Sequence, residues 1–120
     1  MKTIAVYGSL KRGKYNHDMI AGSKRLGISY MPGTMYLIST YPAFVPEPEN
    51  SEALQHTFEL YEVDDKVYER VSSMELGAGY DEETREFNLG DGKVVSAIFY
   101  PASKFLQEHC EKSRPIIHNY

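Results

Sequence analysis

The chain has 120 residues, 42% of them hydrophobic and 25% charged, with a formal net charge of −4. That length suits one domain able to bury roughly two-thirds of the surface its unfolded form exposes, and the composition is that of an ordinary globular protein, which argues against disorder. The acidic balance leaves no basic field to attract nucleic acid or an anionic membrane, and no apolar run approaches the roughly 20 residues needed to cross a bilayer.

Thr3 to Tyr7 is a β-branched and aromatic run that stops at Gly8, which reads as a strand feeding a loop. Gly8 to Lys14 fits G-x-x-x-x-G-K, most of a phosphate-binding P-loop. Such a loop needs Ser or Thr next, because a short hydroxyl must reach Mg²⁺. Tyr15 stands there, and a phenol cannot act at the same distance. Nor does "LYEVDD", interrupted by Glu62, offer an apolar strand ending cleanly in an aspartate. A nucleoside triphosphate site is therefore set aside, and Lys11, Arg12 and Lys14 are read as a local basic cluster on a glycine-broken loop. The loop keeps one chemical asset: after such a break, successive backbone N–H groups are free to face an anion, a carboxylate included.

Asn16 caps a brief helical turn over His17 to Ala21, and the runs "RLGISYM" and "MYLIST" flank Pro32-Gly33-Thr34, which predicts a hairpin. "YPAFVPEPENSE", with its prolines and carboxylates, predicts an irregular or edge segment leading to the strand "LQHTFELYEV". At Asp64 the period changes from two to 3.6. Asp64 is a cap, and Val67, Val71 and Met74 recur at i, i+4 and i+7 as the apolar stripe of a helix.

Glu75 lies four residues after Val71, on the shoulder of the stripe that faces the core. A carboxylate held there is desolvated, which moves its pKa toward the range where protons exchange near neutrality. The competing reading is a helix-end glutamate that snorkels to water. "LGAGY" ends the helix, and "ETREFNL" and "KVVSAIFY" flank Gly90-Asp91-Gly92 as a second hairpin. Ser103 to Glu111 closes the chain with a helix. Antiparallel hairpins with segregated helices predict an α+β fold, a curled and mostly antiparallel mixed sheet or small barrel, in a single domain spanning 1–120.

The lone Cys110 cannot form an intrachain disulfide, and "MKTIAVYGSLKRG" lacks the apolar core and cleavage site of a secretory signal, so a cytoplasmic protein is expected. His17, His56, His109 and His118 have no ligand partners at metal spacing, and no metal is expected. The acidic run Asp81, Glu82, Glu83 and Glu86 reads as a solvated face.

Taken together, "VYGSLKRGKYNH", "YPAF", "ELYEV" and "MELGAGY" resemble the γ-glutamylcyclotransferase-like family, in its short branch of γ-glutamylamine cyclotransferase-like and AIG2-like proteins, from Ile4 to about Tyr100. The resemblance implies that Tyr7, Gly8, Ser9 and Leu10 hold a γ-glutamyl group, with Lys11 or Arg12 adding charge at the rim. It further implies that Glu75 is the acid/base and Tyr80 the tyrosine that follows it. The reaction implied, of transferase or lyase type, cyclises a γ-glutamyl amine or amide to 5-oxoproline and releases the amine. It needs no cofactor, and its partner is a small-molecule γ-glutamyl substrate rather than nucleic acid or membrane; the oligomeric state is left open. Three residues depart from the family pattern: Ser72 replaces an aspartate, Leu76 precedes Gly77 where a glycine is usual, and Phe58 replaces the glycine that opens "GELYEV". Phe58 is expected to narrow the pocket. The alternative from another class is a non-catalytic binding module that uses the same pocket to capture a small metabolite or nucleotide-derived signal.

Overall fold

Alternating side chains in β1 (Lys2–Val6) and β4 (Gln55–Val63) separate two opposed cores in the computed structural model of the chain. The structure describes residues 1–8, 10–14, 16–38, 41–47, 53–110 and 115–116. Inside the curl of the sheet, Ala5, Phe58 and Leu60 join Phe44, Phe87 and Phe99. On the other face, Ile4, Val6, Tyr61 and Val63 pack with Val71 of α1 (Asp65–Gly77). β4 lies between β1 and β2, which explains why its run is almost continuously buried instead of alternating with polar residues.

The strands follow the order β3-β2-β4-β1-β6-β5, where β2 is Lys24–Ile38, β3 Tyr41–Pro46, β5 Glu83–Asn88 and β6 Val94–Phe99. β7 (Pro115–Ile116) pairs with β2. β1 and β6 run parallel, with Ile4 opposite Ile98, and the other pairings are antiparallel. The sheet curls until the Ser29 hydroxyl of β2 donates to the Asn88 carbonyl of β5 at 2.8 Å. The result is the curled mixed sheet of the expected α+β class, a half-barrel with two helices, the second being α2 (Lys104–Cys110). Among the described residues no helix is long and apolar enough to cross a membrane.

Local signals gave the right elements where one segment decides its own shape. The Asp64 carboxylate accepts from the Val67 amide at 2.8 Å, so α1 starts at the expected cap. The hairpin around Gly90-Asp91-Gly92 forms, and β3 is an edge strand, as its prolines require.

The hairpin expected at Pro32-Gly33-Thr34 does not exist. β2 runs unbroken from Lys24 to Ile38, pairing with β4 up to Pro32 and with β3 from Gly33 onward. The glycine serves close approach here, because a Cβ at Gly33 would strike the Phe44 ring and lie 2.6 Å from the Val45 carbonyl oxygen. Gly33→Ala should therefore force β3 away from β2 and cost about 1–3 kcal/mol of unfolding free energy. Denaturant unfolding of the variant checks this, and wild-type stability would show that β3 does not approach so closely.

Candidate active site

Because β1 and β6 are parallel, their carboxyl ends open on the same side of the sheet, the position where such sheets most readily take ligands. A cavity of about 80 Å³ lies there. That is room for several waters or a short polar chain. Tyr7, Gly8 and Leu10 wall it from the end of β1, Met74 and Glu75 from the last turns of α1, and Tyr80 and Tyr100 from the segments that follow α1 and β6. Tyr7, Gly8, Leu10, Glu75 and Tyr80, far apart in sequence, thus share one cavity. Lys11 is not among the lining residues, and no other Lys or Arg side chain among the described residues is. Ser9 lies outside the described residues.

The wall is built by hydroxyls that stitch strand ends together. The Tyr7 hydroxyl donates to the Tyr100 carbonyl at 2.7 Å and accepts from the Phe44 amide at 3.3 Å. The Tyr80 hydroxyl donates to the Pro42 carbonyl at 2.6 Å. Pro42 in turn explains Gly8: a Cβ there would lie 2.8 Å from Pro42 Cγ, so only glycine lets β3 close against the loop. Sequence reasoning missed Pro42, Asn16, Met74 and Tyr100 as lining residues, since their place depends on the parallel β1–β6 pair and the approach of β3.

After β1 the chain makes a tight turn in which the Lys11 amide donates to the Gly8 carbonyl at 3.0 Å. The amides of Gly8 and Leu10 donate to no atom among the described residues. They are the free N–H groups that a glycine break was expected to leave beside an anion.

Glu75 sits in the last full turn of α1, half-buried in the cavity wall. Among the described residues no group hydrogen-bonds or pairs with its carboxylate, and burial pushes its pKa up to about 7. The negative end of the helix dipole acts in the same direction. Glu82 is the contrast. Partial desolvation pushes it up, but the hydroxyls of Tyr68, Ser72 and Tyr100 all donate to its Oε1, at 2.7, 2.9 and 3.3 Å, and hold it below the usual carboxylate range. The two carboxyls are thus shifted in opposite directions, burial dominating at Glu75 and hydrogen bonding at Glu82. Glu82 is exposed, as the acidic run was expected to be, yet it also ties α1 to the end of β6.

Phe58 does not narrow the cavity. It is wholly buried in the inner aromatic core, and Tyr7, whose ring packs edge-on at 5.4 Å, lines the cavity instead. Among the described residues no group of three or more His, Cys, Asp or Glu side chains is placed to hold a metal ion.

The chain matches the family described as "Gamma-glutamyl cyclotransferase, AIG2-like" over residues 4–119. It is 32% identical over 108 residues to a Methanocaldococcus jannaschii protein provisionally named a gamma-glutamylcyclotransferase, a match covering 86% of this chain and 88% of that protein. A Pyrococcus horikoshii protein with the same provisional name is 35% identical over 77 residues; there the match spans 64% of this chain and 62% of the relative, under two thirds of its length. Among solved structures, the crystal structure of a mouse AIG2-like protein superposes with a TM-score of 0.80 at 20% identity, covering 100% of this chain and 88% of that one, a likeness of fold. The crystal structure of the Pyrococcus horikoshii protein gives a TM-score of 0.68 at 28% identity over 98% of this chain and 86% of that one.

Proposed function

This chain belongs to the gamma-glutamyl cyclotransferase, AIG2-like family, and on that premise we propose that it cyclises a γ-glutamyl amine or amide to 5-oxoproline, with Glu75 as the proton carrier. The observation that carries the reading is the desolvated Glu75 carboxyl, unpaired among the described residues, sharing a small cavity with Gly8 and Leu10, whose amides donate to no described atom. The substrate's α-carboxylate sits against those amides, which stand in for the basic side chain that the cavity wall lacks.

With the α-carboxylate held, the glutamyl chain folds back so that its own α-amine meets its γ-carbonyl. Glu75 takes a proton from the attacking ammonium, the new C–N bond closes the lactam, and the γ-C–N bond to the leaving group breaks. The same carboxyl then returns the proton to the departing amine, and the ring nitrogen sheds its second proton, which leaves with the released amine as its ammonium. Ring closure is intramolecular, so fixing the folded chain supplies much of the acceleration, where effective molarities of about 10⁵ M or more are reachable. The chemistry balances with no co-reactant.

Glu75 accepts a proton only when ionised, and its pKa lies at about 7. The value of kcat/KM should therefore rise about tenfold per pH unit on the acid side of that pKa and level off above it. A profile flat through this range would separate turnover from Glu75. The reaction itself is tested by offering γ-glutamyl amines, γ-glutamyl amides and γ-glutamyl dipeptides and measuring 5-oxoproline release. Release from one class identifies the leaving amine, whereas tight binding of these compounds with no release from any of them would turn the site into a binding module.

A further inference from the structure

The basic residues of the loop have no part in the cavity wall, yet the loop backbone at Arg12 meets a buried carboxylate. Glu59 lies on β4, on the face opposite the aromatic core, and is buried. Its Oε1 accepts from the Arg12 backbone amide at 2.8 Å and from the Tyr61 hydroxyl at 2.8 Å, while its Oε2 stands 3.9 Å from the Arg25 guanidinium. Lys11 is itself buried, and that burial lowers its pKa while the charge of Glu59 partly offsets the effect. A buried carboxylate is tolerated only when surrounded in this way.

The contact to Arg12 is the informative one, because it is made to backbone. Gly8, Leu10 and Lys11 belong to a turn closed by the Lys11-to-Gly8 bond, with the Leu10 carbonyl accepting from His17 Nδ1 at 2.9 Å, and the turn leads directly into Arg12. Fixing the Arg12 amide to β4 therefore fixes where the turn's free amides point. We propose that Glu59 is a positioning residue that clamps the substrate-binding turn to the sheet. Its effect on turnover rests on the cyclotransferase reading; its effect on the turn does not.

Glu59→Gln keeps the shape but removes the charge that strengthens the bond to Arg12, and a charge-assisted bond of this kind is worth roughly a tenfold equilibrium change or more. Backbone hydrogen exchange is measured on the folded protein. The amides of Lys11 and Arg12, the two that are hydrogen-bonded in this turn, should exchange about tenfold faster or more in the variant, while those of α1 and β4 stay within about twofold of wild type. Tyr61→Phe removes another partner of Glu59 but leaves the Arg12 contact, and should not loosen the turn. Where a γ-glutamyl substrate is turned over, KM should rise about tenfold in Glu59→Gln with the acid limb of the pH profile unmoved, since Glu75 is untouched. If Glu59→Gln does not fold, Arg12→Pro deletes the donor with Glu59 in place and should loosen the same turn. Uniform loss of protection over the whole chain, equal loosening in Tyr61→Phe, or a turn that exchanges as in wild type would overturn the proposal. A turn loosened as expected in a protein that cyclises no γ-glutamyl compound would sink the catalytic reading and leave the clamp standing.

Discussion

Glu75→Gln is expected to lower 5-oxoproline formation on the order of 10²-fold or more while leaving the binding of 5-oxoproline close to wild type. Glutamine keeps the volume and reach of the side chain but cannot take the ammonium proton, so the loss falls on kcat rather than on affinity. The same substitution should make the protein more stable, and the pH dependence of that gain is the sharper test. In the folded chain Glu75 titrates at about 7 against an ordinary value of 4.5, because burial opposes its charge. Below the ordinary value both folded and unfolded chains carry the proton, and burial carries no electrostatic penalty. As pH rises toward 7 the unfolded chain releases its proton first, so the folded state becomes progressively less stable. Above 7 the full cost is present, of order 3 kcal/mol at about 1.4 kcal/mol for each pH unit that separates the folded from the ordinary value, with residual solvent contact reducing it. Unfolding in denaturant should accordingly show the Gln variant matching wild type on the acid side and exceeding it on the alkaline side. Loss of turnover without that gain would mean a solvated carboxylate, and retained turnover would move the search for a proton carrier to Tyr80 or the acidic residues after it.

The contrast between Glu75 and Gly33 shows what the sequence could disclose. α1 is a local object: its cap, its stripe and the shoulder position of Glu75 all follow from spacing within one segment, and the structure keeps each of them. Pro32-Gly33 carries an equally strong local signal for a turn, but non-local pairing with both β4 and β3 overrides it. The cavity was legible at Tyr7, Gly8 and Glu75, whereas Pro42 and Tyr100 entered only through strand order. Glu59 is the extreme case. Three polar groups reach it from three separate segments, and nothing in "FELYEV" distinguishes a buried hub from the exposed glutamates common in strands.

Phe58→Ala is expected to cost about 3–5 kcal/mol of stability, a large share of the roughly 5–15 kcal/mol that holds a domain of ordinary stability together. Phe58 is wholly buried, and its ring packs against those of Phe44, Tyr7, Phe87 and Phe99 at centroid distances of 5.2, 5.4, 5.5 and 5.9 Å. Those partners come from different strands, so no single neighbour can move to fill the space and most of the cavity would persist. Phe58→Leu should cost less, in proportion to the smaller void. The position also separates two accounts of this residue. If Phe58 supports the sheet from inside the curl, the surviving folded Ala variant keeps the acid limb near that of wild type, because α1 and Glu75 lie on the opposite face. Denaturant unfolding and the pH profile of 5-oxoproline release, measured on the same sample, decide the matter. An Ala variant of unchanged stability with a broadened range of leaving amines would place Phe58 in the cavity wall after all and undo its assignment to the core.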